Sequence, residues 1–389
     1  MDKIQQGIIT LLKSAITGEC YALPEGFSLD EAMDQIKRHH VIPLCYDGAL
    51  RCGISAKEPL MKQLFAGYCQ SLLKSEAQLR EVERVCTAFD ENGIDYMPLK
   101  GCNMKALYPK HELRVMGDAD ILIRNEQRPE IVKAMNGLGF ENTENSDHEL
   151  VWKSSALYLE LHKHLVPSYN QDLYSFFGDG WRLAKHEVNN RFRMSPEDEY
   201  LYVFIHFLKH YRDGGIGLRH MTDLWLFRRT YPELDISYIE TKLENFSLLT
   251  FYKNILRTIS VWFEDAELDE KSAFITDVIF ASGSFGSLEN RAAALSNRSV
   301  GEDEDIRSAK LRYFIKTLFP PVKAIEGDYP ILETHPRLLP VVWVYRPFYK
   351  LLFERHDVKK QLRFMNSMSQ ENLDSHRRQL EYVGLDPKY

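Results

Sequence analysis

No two of the six cysteines in this 389-residue sequence stand as a CxxC pair, and all six (Cys20, Cys45, Cys52, Cys69, Cys86 and Cys102) lie in its first third. That scatter is poor for a zinc cluster or a disulfide framework and fits reduced thiols in a cytoplasm. An excess of positive charge is missing too. With a formal net charge of −7, a grip on bulk RNA or DNA is disfavoured, although a local basic groove is compatible with it. No apolar run approaches a membrane span. The start, MDKIQQGIITLLKSAI, has a helical apolar face without the long apolar region or small-residue cleavage site of a secretory signal. Internal repeats and low-complexity tracts are absent as well. These absences point to a soluble cytoplasmic protein with no membrane contact.

Hydrophobic residues make up 44% of the chain, ample for a buried core, and the length suits two or three compact units. Residues 1–92 read as a helical region. Ile4, Ile8, Leu11, Leu12 and Ile16 fall at helical spacing, as do Leu29, Ala32, Met33 and Ile36, and a long helical run from Glu58 to Asn92 ends at Gly93. His39 and His40 close a helix as cap or surface residues. Residues 93–190 form the expected core, with strands, and residues 191–389 a second helical domain.

The chemistry concentrates between Tyr96 and Ile123, YMPLKGCNMKALYPKHELRVMGDADILI. Ile94 to Leu99 reads as a strand, Lys100-Gly101 as a turn into a short helix, and the segment around Asp118-Ala119-Asp120 as a second strand. Side chains two apart on a strand share a face, so Asp118 and Asp120 point together while Ala119, Ile121 and Ile123 face the core. Two carboxylates held that way suit a divalent metal; the plainer reading is a polar strand end in solvent. Gly101 at a helix start lets backbone N–H groups approach a phosphate. Lys100 either reaches that phosphate or is an ordinary solvated lysine, and Arg114 either binds phosphate or pairs with an aspartate.

Further on, Glu126 to Leu138 is a helix, and His148 to Lys153 with Leu157 to Leu165 form a hairpin. In the second strand Leu157, Leu159, Leu161 and Leu165 mark one face; Tyr158, Glu160, His162 and His164 mark the other. Glu160, His162 and His164 either hold zinc or manganese or line a cleft. Gln171 to Arg193 reads as a connector. Ser195-Pro196-Glu197-Asp198 starts a helix carrying His206 and His210, whose HFLKH spacing lacks the glutamate of a metalloprotease HExxH. Asp213-Gly214-Gly215 breaks it, and a helix from Leu218 to Arg229 follows. Helices near 236–245, 248–264 and 267–281, an acidic run Gly301 to Asp305, an aromatic apolar segment Val341 to Leu352 and a charged tail from Asp357 complete the chain. Lys209, His210, Arg219 and Asp223 either contact a nucleotide or acceptor or make polar contacts between helices.

A strand, a glycine turn, a short helix and a strand with Asp-x-Asp resembles the ground plan of the DNA polymerase beta-like nucleotidyltransferases, with Gly101-Cys102 where that superfamily carries Gly-Ser. Leu99, Lys100, Gly101, Leu107, Tyr108, Arg114, Met116, Gly117, Asp118, Asp120, Ile121 and Leu122 resemble more narrowly the bacterial uncharacterised nucleotidyltransferase family. The resemblance implies an α+β fold, a small mixed β-sheet core flanked by N-terminal and C-terminal helical regions. It also implies metal-dependent transfer of a nucleoside monophosphate from an NTP to a hydroxyl acceptor, a small molecule or a protein. Asp118, Asp120 and Glu160 would then hold two Mg²⁺ ions, with Mn²⁺ as a substitute. Lys100, Gly101, Cys102, Arg114, His162, Lys209, Arg219 and Asp223 would contact the nucleotide. Two rivals are a metal-dependent phosphohydrolase using Glu160, His162 and His164 with the aspartates, and a degenerate non-catalytic nucleotide-binding protein.

Overall fold

The computed structural model describes residues 1–146, 148–166, 171–283, 286, 292–294, 306–322, 325, 329, 331–353, 359, 363, 365, 367 and 369–386. The acidic run from Gly301 to Asp305 and the start of the charged tail at Asp357 lie outside the described residues. The chain divides into two compact units, residues 1–210 with 216–285, and residues 211–215 with 286–389. Among the described residues no helix is long and apolar enough to cross a membrane.

The first unit begins with four helices, α1 (Lys3–Thr17), α2 (Leu29–Arg38), α3 (Ile42–Arg51) and α4 (Pro59–Glu91). Asp2 caps α1 in a capping box with Gln5, and Ser28 caps α2. His39 closes α2 and is wholly buried, whereas His40 is exposed. Then come β1 (Tyr96–Pro98), α5 (Lys100–Leu107), β2 (Ala119–Ile123), α6 (Arg128–Gly137), β3 (Glu141–Asn145), β4 (Glu149–Lys153), β5 (Tyr158–His162), α7 (Gln171–Phe177), β6 (Lys185–Val188) and β7 (Arg191–Arg193). Helices α8 (Pro196–Arg212), α9 (Leu218–Thr230), α10 (Ile236–Asn245), α11 (Leu249–Phe263) and α12 (Glu270–Ser282) follow. Ser195 caps α8 as expected, its hydroxyl accepting from the Asp198 N–H at 3.2 Å.

The strands form one mixed seven-stranded sheet in the order β3-β4-β5-β2-β1-β7-β6, and the fold is α+β. β2 runs antiparallel to β1 and parallel to β5. Ala119, Ile121, Leu159 and Leu161 turn to one face, where they pack with Val85 and Phe89 of α4 and Ile131 and Met135 of α6. Alternation therefore sends Asp120, Glu160 and His162 to the other face.

Three strands go beyond the sequence expectation. β3, ENTEN, is exposed throughout and sits at the sheet edge, so it carries no apolar alternation to read. β6 and β7 make a hairpin inside the presumed connector, turning at Asn189, whose φ of 49° is one that asparagine tolerates better than most residues. A further difference concerns the aspartates: β2 starts at Ala119, so Asp118 precedes the strand and is exposed while Asp120 is buried.

The segment from Tyr108 to Asp118 has little regular structure, and side chains satisfy its backbone carbonyls instead. Ser71 donates to Glu112 O at 2.9 Å and Gln78 to Met116 O at 3.2 Å, both from α4. Arg219 of α9 donates to Val115 O. Buried Lys105 spends its three donors on Ser75 Oγ, His111 O and Arg114 O, at 2.7, 3.0 and 2.8 Å. Desolvation, aided by the charges of Arg114 and Arg219, lowers its pKa to about 8. The folded state thus binds this proton less well than the unfolded chain, and wild-type stability should rise between pH 8 and about 10.4. Lys105→Met removes that rise and strands three acceptors. At pH 7 it should cost about 2 kcal/mol or more in urea unfolding; a loss under about 0.5 kcal/mol would contradict this account.

In the second unit the described helices are α13 (Ile306–Leu318), α14 (Ile331–Thr334), α15 (Leu339–Phe353) and α16 (Gln370–Tyr382). Ile325, Leu332 and Val342 form a small apolar cluster there. Arg346 and Trp343 of α15 donate to Thr317 O and Pro320 O at 2.7 and 2.8 Å.

Candidate active site

Parallel pairing of β2 with β5 sets Asp120 directly beside Glu160 and Leu122 beside His162. Asp120, Glu160 and His162 bring one ligand atom each within 4.8 Å of the others. His162 Nε2 lies 2.8 Å from Asp120 Oδ1 and 3.5 Å from Glu160 Oε2. Lys100, at the start of α5 with a positive φ of 32°, places its ammonium 2.9 Å from the same Asp120 Oδ1. Its Nζ also lies 5.6 Å from the centre of the Tyr202 ring.

These contacts split the carboxylates electrostatically. Burial would raise the pKa of Asp120, but the Lys100 charge and the His162 hydrogen bond outweigh it and hold the carboxyl well below the usual range. For Lys100, burial acts to lower the pKa and Asp120 more than offsets it, so the amine stays charged. The His162 hydrogen bond lowers Glu160. Asp118 goes the other way. It is open to solvent, yet partial desolvation by the surrounding protein, then the charges of Asp120 and Glu160, push it up to about 6. Among the described residues it stands outside the group formed by Asp120, Glu160 and His162.

The sign of the Asp118 shift gives a test. The unfolded carboxyl titrates near 3.9, so between about pH 4 and 6 the folded state holds more protons and the metal-free protein loses stability as pH rises. In EDTA at pH 7.5, Asp118→Asn should melt above wild type, and the two melting curves should converge at pH 4. An Asn variant no more stable than wild type at pH 7.5 would contradict the shift.

Lys100, Gly101, Arg114, Asp118, Asp120, Arg219 and Asp223 line one cleft. Gly101 is needed for close approach, since a Cβ there would stand 3.1 Å from Met116 Sδ and 3.4 Å from Arg114 Nη1. Arg114 is committed to Asp223, with Nε to Oδ1 and Nη2 to Oδ2 both at 2.9 Å, and Tyr108 OH donates to Asp223 Oδ1 at 2.7 Å. All three are buried. Cys102 packs against the sheet core, and burial pushes its thiol up to about 12. Lys209 is exposed on α8. His164 is half-buried, its ring centre 5.5 Å from that of Tyr174.

Sequence reasoning missed two neighbours of the site. His148, just before β4, sets its ring 5.0 Å from that of His162, and Glu149 Oε2 lies 3.4 Å from His162 Nδ1. The available signal was the antiparallel register, in which the start of β4 must meet the end of β5.

Asp120 and Glu160, adjacent across a strand pair, with Asp118 two residues before Asp120 offer the oxygen donors that a hard divalent cation such as Mg²⁺ or Mn²⁺ takes. Among comparisons with known proteins, a family model described as uncharacterised nucleotidyltransferase matches residues 25–264. No curated protein and no solved structure matches the chain.

Proposed function

We propose that this chain, which belongs to the uncharacterised nucleotidyltransferase family, transfers a nucleoside monophosphate from an NTP to a hydroxyl group of a small molecule or protein and releases pyrophosphate. The observation that carries this reading is the lateral registration of Asp120 with Glu160, with Asp118 and Asp120 lining one cleft.

Asp118, Asp120 and Glu160 would hold Mg²⁺, or Mn²⁺ in its place, and the bound ions would supply charge neutralisation on the phosphates and acidity to the acceptor hydroxyl. The chain's own groups do the rest. Lys100 and Arg219 set positive charge along the cleft where the triphosphate would lie, and Gly101 lets Met116 and Arg114 pack close to the start of α5. No side chain caps the start of α5, and with the Cys102 N–H donating to Leu99 O at 3.1 Å, the N–H groups of Lys100 and Gly101 are those offered to a phosphate. The acceptor oxygen bonds to the α-phosphorus, the bond from that phosphorus to the α,β-bridging oxygen breaks, and pyrophosphate leaves with the electron pair. Glu160 takes the acceptor's proton. Arg114 and Asp223, bound to each other, act as positioning residues, and Cys102 fills the core below.

The test is calorimetry of each NTP with Mg²⁺ against wild type and an Asp118→Ala, Asp120→Ala double variant, followed by labelled NTP with candidate acceptors. Metal-dependent binding that disappears in the variant is the expected result. A wild type that binds no NTP with either Mg²⁺ or Mn²⁺ would overturn the reading. A second reading draws on His162 within the carboxylate group: a phosphohydrolase, which would consume NTP without acceptor and prefer Mn²⁺ or Zn²⁺.

A further inference from the structure

We infer that His206, His210 and His220 form a binding site for a transition-metal ion of the zinc class, built on helices α8 and α9 and distinct from the carboxylates of the sheet. His206 and His210 are four residues apart on α8, so their rings leave the same helix face. Their Nε2 atoms stand 3.0 Å apart and their ring centres 4.4 Å apart. His220, in the first turn of α9, sets its ring centre 5.3 Å from that of His210 and 6.3 Å from that of His206. One ligand nitrogen from each of the three lies within 4.8 Å of the others. A tetrahedral ion bound at 2.0–2.1 Å keeps two imidazole nitrogens roughly 3.3 Å apart. Closing the three onto an ion therefore asks for side-chain shifts of about 1.5 Å or less.

The third ring is oriented from behind. His220 Nδ1 accepts from the Gly217 N–H at 3.3 Å and stands 3.2 Å from the Gly217 carbonyl oxygen. The tautomer that carries its proton on Nδ1, facing that carbonyl, presents the Nε2 lone pair to an ion, the outer arrangement that metal-bound histidines use. His220 is buried and His206 and His210 are half-buried, all on helices, so the donors are held by packing.

Donor chemistry sets the class of ion. Three imidazoles without a carboxylate suit Zn²⁺, Cu²⁺ or Ni²⁺, while Mg²⁺ and Ca²⁺ take oxygens. Three protein ligands leave a fourth tetrahedral position. His206 and His220 line the same cleft as Lys100 and Asp118, so water or a substrate oxygen can reach that position. Lys100, Lys209 and Arg219 lie near enough for their charges to act on these rings. They disfavour a bare dication and favour one whose fourth ligand is an anion. The inference stands apart from the nucleotide-transfer reading, because it uses none of the carboxylates.

The test takes the full chain without a polyhistidine tag, strips it with chelator and titrates it with Co²⁺, followed by visible absorption and competition with Zn²⁺. Expected are equimolar Co²⁺ binding with the intense ligand-field bands of a four-coordinate nitrogen site, displacement by Zn²⁺, and the same behaviour in an Asp118→Asn, Asp120→Asn variant. His206→Gln and His210→Gln should each weaken binding at least about tenfold, the lower end of what losing even an outer partner of a ligand costs. His210→Cys should bind again and add a sulfur-to-cobalt charge-transfer band, which separates loss of a ligand from loss of fold. Absence of ligand-field bands in wild type, or binding unchanged in both Gln variants, would overturn the assignment. Bands lost in the aspartate variant instead would put the ion at the carboxylates and overturn it equally.

Discussion

Asp120→Asn is expected to give a folded protein whose nucleotide transfer falls by about a thousandfold or more. The amide keeps the shape of the side chain and an oxygen that can still accept from Lys100 Nζ and His162 Nε2, now 2.9 and 2.8 Å from the carboxylate. It removes the charge. Metal-assisted electrostatic stabilisation is worth several kcal/mol in such reactions, and each 1.36 kcal/mol is a factor of ten in rate. Because the folded pKa of Asp120 is depressed, its ionised form stabilises the fold above about pH 4, and that contribution is lost as pH falls through the folded value. The variant should therefore also unfold at lower urea at pH 7, and the gap should close in acid. Labelled-NTP transfer measured beside urea unfolding checks both parts. A variant keeping a tenth of the wild-type rate would remove Asp120 from the catalytic set.

A second large effect is expected at a residue that takes part in no bond transfer. Asp223→Ala should cost about 3–5 kcal/mol of stability, because it leaves the buried Arg114 guanidinium without its carboxylate partner and Tyr108 OH without its acceptor. Folded domains hold only about 5–15 kcal/mol in reserve. Replacing both charges by apolar groups, Arg114→Met with Asp223→Leu, should recover most of the loss, since no buried charge is then orphaned. Urea unfolding of the two singles and the double closes the cycle. If Asp223→Ala costs under 1 kcal/mol, or the double is no better than the single, the pair does not carry the energy assigned to it.

The helical parts of the chain were legible because amphipathic spacing and caps act locally. The helix expected over residues 236–245 is α10, and the Ser195 cap starts α8 as read. On β5 the leucines marked the buried face, and Glu160 and His162 fell on the other face together. What escaped was non-local. Arg114 was offered a phosphate or a neighbouring aspartate by its sequence surroundings, whereas its partner, Asp223, lies 109 residues on. Lys105 looks like any helix lysine until its three acceptors are folded around it. β3 has no apolar residue to announce it, and the pairing of β7 with β1 depends on strands that the chain brings together from distant positions.

The anchoring of the stretch before Asp118 also orders events in time. One of its anchors, Arg219, lies 104 residues beyond Val115, whose carbonyl it holds. At about 5–20 residues per second, a ribosome needs roughly 5–20 s to make that span. During synthesis the aspartates are thus made well before the residue that fixes their approach, and a nascent chain acquires this cleft only when α9 has emerged.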